Sequence, residues 1–405
     1  MSSPRIALFT DSFHEANGVA RTGRALESYA ARHDLPFLCV HAGEQTRVFQ
    51  NGSVTRVELR RGGLGSFGLE HDLRFDVFLW RYTRLVSQAL RSFAPDILHF
   101  TGPSDIGQLG AYLGYRMDIP MVGSWHTNLH EYASRRLLTR CRWLSEKGRM
   151  AMRLWVERRA LSATLLFYRI PRAIFAPNDE LHRLLERRLG KPTYDMSRGV
   201  DTTLFTPARR RRDDGTINIG FVGRLSPEKN VRALADVDRA LAATATPFRM
   251  TIVGEGSEAA WLRTHLPHAS FPGVLRGDAL ADAYADMDLF VFPSETETVG
   301  NVVLEAMASG VPVVAMARGG PRFIAADAAS AVLANNTAGL IDAAVMLARD
   351  DARRRRMAEA ARAQALRRSW DSVFAGVYDV YRRVAAQRQR DDLDAVAHAA
   401  GTPAA

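Results

Sequence analysis

At 405 residues, with 47 % hydrophobic and 24 % charged side chains, the chain has the composition of a folded protein of two or three domains, which excludes disorder over most of its length. Cys39 and Cys141 are its only cysteines, and they supply neither a disulfide framework nor a zinc-ligand spacing. The net charge of +10 admits a nucleic acid, an anionic membrane surface or a phosphorylated small molecule as partner.

Residues 5–10 read as a buried strand, but Asp11 interrupts the apolar stretch too early for a signal peptide. No apolar run approaches the ~20 residues of a membrane-spanning helix, so a cytoplasmic location is expected. A Gly-containing turn follows the first strand and leads into a helix over 19–32. Further short apolar runs at 37–41, 97–100, 121–124 and 174–176 alternate with helical stretches. That alternation predicts a parallel sheet covered on both faces. A second series begins at 217–222 and continues at 249–253, 271–274, 289–292 and 311–315. The Arg-rich stretch 205–215 between the two series is the expected linker. Trp370, Phe374, Val377, Tyr378 and Tyr381 recur at helical spacing, so the last helix has an apolar face to bury. The Ala-, Gln- and Arg-rich chain after 385 is expected to fray.

Four segments carry chemistry. In FVFPSETETVGNVVLEAMASGVPVV, residues 290–314, a strand gives way to a helix starting near Gly300, whose free N–H groups and dipole suit a phosphate. Glu297 precedes that helix and Glu305 lies inside it. They either bind hydroxyls, as acidic residues bind ribose in nucleotide folds, or serve as a cap and a solvated side chain. In GFVGRLSPEKN, residues 220–230, Arg224 and Lys229 flank a Pro-containing turn at the end of a strand. They either clamp a diphosphate or form an exposed loop pair. Lys229 is one of only three lysines among 54 basic residues. Gly18, in the turn after the first strand, either lets backbone approach a ligand or is a plain turn glycine. The turn lacks a GxGxxG fingerprint, which argues against an NAD(P) site. His126, in GSWHTNLH after another strand, is either a site residue or structural. Asp286-Met-Asp288 has the form of a metal-binding DxD but reads as structural.

The pair Glu297 and Glu305 with the following AMASGVPVV, the GRLSPEKN turn, and SRGVDT at 197–202 together resemble the group 1, or family 4, retaining glycosyltransferases. The resemblance spans roughly residues 4–385, and its wording is nearest to bacterial mannosyl- and glucosyltransferases. It implies a GT-B fold: two Rossmann-like doubly wound α/β domains facing a cleft, 1–197 on the acceptor side and 198–370 binding the nucleotide sugar. A helix over 371–385 would return to the first domain, and 386–405 would be a disordered tail. By the same resemblance Glu305 would bind the donor ribose and Glu297 the donor sugar. Arg224 and Lys229 would neutralise the diphosphate with help from Gly18 and the backbone at Asn301 and Val302. His126 would lie beside the transferred sugar, and backbone near Val274 and Leu275 would hold the base.

The implied reaction needs no metal. Its donor is GDP-mannose ahead of a UDP-hexose, and its acceptor a lipid or lipid-linked glycan at the inner membrane face. The alternatives are a UDP-sugar enzyme acting on a soluble acceptor, a nucleotide-sugar epimerase, or a nucleotide-sugar binder without turnover. No nucleic-acid partner is expected, because no base-stacking or groove-reading motif accompanies the charge. The Arg-rich helical segment 132–159 either rests on an anionic leaflet or is a solvated face. The chain departs from the family pattern at Thr298-Val299, where an aromatic residue is usual, at Phe323, where an acid is usual, and in lacking an Asp-Gly-x-x-Gly turn over 323–334.

Overall fold

The computed structural model describes residues 3–15, 18–62, 66–68, 74–125, 146–295, 300–325 and 327–400. The chain divides into two units, Met1–Ser197 with Val373–Ala405, and Arg198–Ser372.

In the first unit the strands are β1 (Ile6–Thr10), β2 (Phe37–Gly43), β3 (Arg47–Asn51), β4 (Val54–Arg60), β5 (Ser66–Gly68), β6 (Arg74–Asp76), β7 (Ile97–Phe100), β8 (Met121–Ser124), β9 (Ala173–Ala176) and β10 (Thr193–Asp195). Eight of them form one sheet in the order β10-β9-β8-β7-β1-β2-β4-β3. Every pair is parallel except the edge pair β3–β4. Every residue of β1, β7, β8 and β9 is buried, as expected of strands covered on both faces. The helices around them are α1 (Gly18–Arg32), α2 (Thr83–Phe93), α3 (Asp105–Arg116), α4 (Glu146–Phe167) and α5 (Asp179–Leu189). The chain builds outward from β1 in one direction through β2 and in the other through β7. The switch point of the sheet therefore lies between β1 and β7.

The second unit holds β11 (Ile217–Val222), β12 (Phe248–Val253), β13 (Ala269–Gly273), β14 (Leu289–Phe292), β15 (Val313–Met316) and β16 (Ala331–Ala334). Its helices are α6 (Ala233–Ala242), α7 (Ala259–His265), α8 (Gly277–Ala285), α9 (Asn301–Ala308), α10 (Pro321–Ile324), α11 (Thr337–Arg349) and α12 (Asp351–Leu366). The sheet is wholly parallel in the order β13-β12-β11-β14-β15-β16. Numbered within the unit this is 3-2-1-4-5-6, the dinucleotide-fold order, with its switch point between β11 and β14.

Two expectations need correction. The stretch 205–215 is no free linker: the Arg209 guanidinium binds Asp278 (2.5 Å) and Asp282 (3.0 Å), and Arg210 binds Asp288 (2.7 Å). The N–H groups of Arg211 and Arg212 donate to Asp286 Oδ1. Four consecutive arginines thus meet four aspartates on and after α8, and both carboxylates of Asp286-Met-Asp288 are taken up by that match. The last helix is also longer than the expected 371–385: α13 runs over Trp370–Ala400, and 401–405 lie outside the described residues. Residues 377–400 contain neither Gly nor Pro, and Ala, Gln and Arg are strong helix formers. Arg388 also ties the helix to the Asp118 carboxylate and carbonyl. The apolar face of α13 is buried in the first unit, with Phe374 and Tyr378 against Tyr29 and the Tyr381 hydroxyl 2.6 Å from His99 Nδ1.

Candidate active site

Open parallel sheets bind ligands outside the carboxyl ends of their strands, at the switch point. In the second unit the loops at the ends of β11, β12 and β13 are tied together by backbone bonds. Gly223 N–H donates to Val253 (3.0 Å), Gly254 N–H to Gly273 (2.8 Å) and Leu225 N–H to Glu255 (2.9 Å). The loop after β11 therefore has a fixed path. It presents Arg224 as an exposed side chain and ends in a short 3-10 turn, Pro227–Lys229, closed by Asn230 in the left-handed region. Glu228 lies beside both cations. The Ser226 hydroxyl chiefly, with smaller pulls from its own N–H and from the charges of Arg224 and Lys229, holds its carboxyl below the ordinary value.

The neighbouring strand β14 leads to α9. Gly300 precedes that helix at φ +80, a left-handed conformation that glycine adopts without strain. Gly300 has no side chain to cap the helix and no acid stands in its first turn, so among the described residues the Asn301 and Val302 end is electropositive. Glu305, one turn in, is buried rather than solvated, and its Oε2 accepts from the Tyr284 hydroxyl at 3.1 Å. Tyr284 is itself packed between Phe205 and Phe290. Val274 and Leu275 follow β13, Val274 exposed and Leu275 packed on the core. The topology thus puts Arg224 and Lys229 on the loop after β11, and Asn301, Val302 and Glu305 on α9 after β14, flanking one switch point, with Val274 and Leu275 at the end of β13, on the outer side of β12. Glu297 lies outside the described residues.

In the first unit Gly18 opens α1, and His126 lies outside the described residues. Trp125, just before it, is buried and stacked on Tyr168 (4.9 Å), whose hydroxyl donates to Ser124 O (2.7 Å). At the end of β1, Asp11 Oδ1 accepts from the Thr101 hydroxyl at 3.0 Å. Burial pushes the Asp11 carboxyl up, against the opposing pulls of Thr101 and Arg61. Arg61 also bonds the Asp11 carbonyl and forks onto Asp105, which further accepts from the Asp76 N–H. Beside this group Phe13 stacks on His41 (4.2 Å), whose imidazole burial drives down to about 4. Sequence reading assigned no role to Asp11 or to Gly254-Glu255-Gly256. A charged residue ending an otherwise apolar strand, and a Gly-x-Gly directly after β12, were the available signals.

The description "Glycosyl transferases group 1" matches residues 216–350, and "Glycosyltransferase Family 4" matches residues 16–204. A GDP-mannose-dependent alpha-mannosyltransferase of Mycolicibacterium smegmatis is 34 % identical over 306 residues, covering 74 % of this chain and 76 % of that protein. The chain belongs to the family 4, group 1 glycosyltransferases. The likeness of this glycosyltransferase to a Mycobacterium tuberculosis protein of the same name is also 34 %, over 328 residues, 74 % of this chain and 76 % of the other. Among solved structures, a glycosyltransferase from Rickettsia africae superimposes with a TM-score of 0.65 at 12 % identity, covering 94 % of this chain and 98 % of the other. Sucrose-phosphate synthase from Thermosynechococcus elongatus gives 0.64 at 18 %, covering 95 % and 100 %. The glycosyltransferase has the GT-B fold, with two Rossmann-like domains.

Proposed function

We propose that this glycosyltransferase moves mannose from GDP-mannose to a hydroxyl of a lipid or lipid-linked glycan, with retention at the anomeric carbon and without a metal. The observation that carries the reading is the switch point of the second unit, where the loop carrying Arg224 and Lys229 and the N-terminus of α9 follow the adjacent strands β11 and β14. Breaking the C1–O bond builds positive charge on the sugar and negative charge on the leaving diphosphate. Two cations and a helix dipole fixed before the reaction stabilise that leaving group electrostatically. The leaving phosphate then takes the proton of the acceptor hydroxyl.

In this reading the second unit binds the donor and the first the acceptor. Glu305 holds the ribose, Glu297 the mannose hydroxyls, and backbone at Val274 and Leu275 the base. Gly18 approaches the diphosphate and His126 the transferred sugar. Mannose and guanine are favoured by what the mycobacterial relatives are called. A lipid acceptor agrees with the net charge of +10, and the place of action is the inner membrane face as a peripheral protein. No helix of the described residues is long and apolar enough to cross a membrane.

Thermal shift with GDP and UDP tests the donor base: GDP raises the melting temperature and UDP does not. Arg224→Ala and Lys229→Ala each weaken GDP binding by about 10- to 100-fold, the worth of one charge-assisted hydrogen bond. Stabilisation by UDP alone refutes the base assignment. Wild-type GDP affinity in both variants refutes the site.

A further inference from the structure

A further face of the first unit lies on the short 3-10 turn Leu79–Tyr82 and on α3. Leu79 is buried and anchors the turn, while its neighbours point outward: Val77 is 49 % exposed, Phe78 58 % and Trp80 45 %. The Trp80 ring meets Tyr112 of α3 edge-on at 5.1 Å, and Tyr112 accepts from Arg116 at 3.1 Å. Tyr115, one residue before Arg116, is 81 % exposed. Aromatic surface therefore continues from the turn onto the helix.

The charge around it is mainly basic. Residues 77–95 and 106–117 contain Arg81, Arg84, Arg91 and Arg116 and no acid at all. Four carboxylates border these segments: Asp76 and Asp105 are buried and held by Arg81 at 2.8 Å and by Arg61, while Asp96 and Asp118 are exposed, Asp96 accepting from the Arg5 N–H and Asp118 paired with Arg388. Arg84 and Arg116 remain exposed beside the rings. A folded protein does not normally leave contiguous large apolar side chains in water unless something covers them.

We propose that Val77, Phe78, Trp80 and Tyr115, with Arg84 and Arg116, form a surface that docks onto an anionic lipid bilayer. Tryptophan and tyrosine settle at the headgroup level, where an apolar ring and a polar edge are both satisfied. Arginines beside them meet lipid phosphates, and the exposed carboxylates that border these segments, Asp96 and Asp118, are already bonded to Arg5 and Arg388. The inference deepens the lipid-acceptor reading, on which it rests for its biological sense, by naming the face that brings the enzyme to such an acceptor. It places a contact on Val77–Arg84 and α3; of the Arg-rich 132–159 segment, residues 132–145 lie outside the described residues.

Vesicle sedimentation of the full chain tests it. Wild type binds phosphatidylglycerol-containing vesicles at low salt and is released at high salt or on pure phosphatidylcholine. Phe78→Ser with Trp80→Ser, and separately Arg84→Glu with Arg116→Glu, each weaken binding about tenfold or more. All four side chains are exposed, and an unchanged melting temperature shows that the variants fold. Wild-type binding in both double variants overturns the proposal, as does equal binding to neutral vesicles or none to either. A wild-type dimer that the Phe78/Trp80 variant converts to monomer, without vesicle binding, assigns the face to a second copy and also overturns it. Mannose transfer to a water-soluble mannoside, measured in parallel, separates the two readings. Transfer without vesicle binding sinks only the docking face, and vesicle binding without transfer sinks only the mannosyltransferase assignment.

Discussion

Gly254 is the position where one added methyl group most directly tests the link between loop packing and the site. Its φ is +135, and a Cβ there would lie 1.9 Å from the Gly223 carbonyl oxygen. Real Cβ atoms essentially never come within 3.0 Å, so Gly254→Ala displaces one loop from the other by at least about 1.1 Å. The displacement has nowhere free to go, because Gly223 N–H is held by Val253 and Gly254 N–H by Gly273. The backbone strain costs about 1–3 kcal/mol of stability. The functional cost is larger, since Arg224 directly follows the displaced carbonyl and a misplacement of about 1 Å near the chemistry costs about 100-fold in rate. Gly215→Ala is the control: φ there is +70 with nothing within 4 Å. It carries conformational strain of about 1–2 kcal/mol and leaves the loops alone. The expected result is a fall of about 100-fold in kcat/KM for GDP-mannose in Gly254→Ala, against an unchanged value in Gly215→Ala, with melting temperatures lowered in both. If Gly254→Ala keeps wild-type kcat/KM, the β12 loop does not position Arg224 and the reasoning fails.

Arg61→Met leaves the buried Asp105 carboxylate without its cation, which lowers stability by about 3–5 kcal/mol. Adding Asp105→Asn recovers part of the loss, and urea unfolding of wild type, single and double variants measures both. A double variant no more stable than the single one rejects the buried pair as the cause. Stability also depends on pH through His41 and His99, which burial lowers from 6.5 to about 4 and about 3. Their folded values lie below the unfolded one, so the unfolded chain binds more protons, and stability present above pH 6.5 is lost as pH falls toward 4 and then 3. By pH 5 the loss is about 2 kcal/mol per histidine. The raised Asp11 carboxyl works the other way and offsets part of it. Urea midpoints at pH 7, 6 and 5 check this, and a flat profile contradicts it.

The strands that sequence alone located are those with continuous apolar runs, such as β1, β7, β11 and β14, because burial on both faces leaves a local signature. The charged β4, its edge partner β3 and the short β10 carry no such run and were missed, and so was β16, although its Ala-Val-Leu-Ala is apolar throughout. The Arg224–Lys229 turn and the helix start at Gly300 were legible for the same local reason: turn residues and a capping glycine act within a few positions of themselves. Strand order is not local, and only the tertiary structure placed β11 beside β14, which turns two separate motifs into neighbours at one switch point. The same holds for the side chains whose chemistry depends on distant partners. Glu305 is buried under Tyr284, Arg209 and Arg210 meet aspartates about 70 residues away, and Asp11 owes its raised carboxyl to being enclosed. Sequence determined which segments can fold and which turns can hold an anion, because those depend on propensity and spacing. The tertiary structure decided which groups face one another, because desolvation and pairing depend on distance in space.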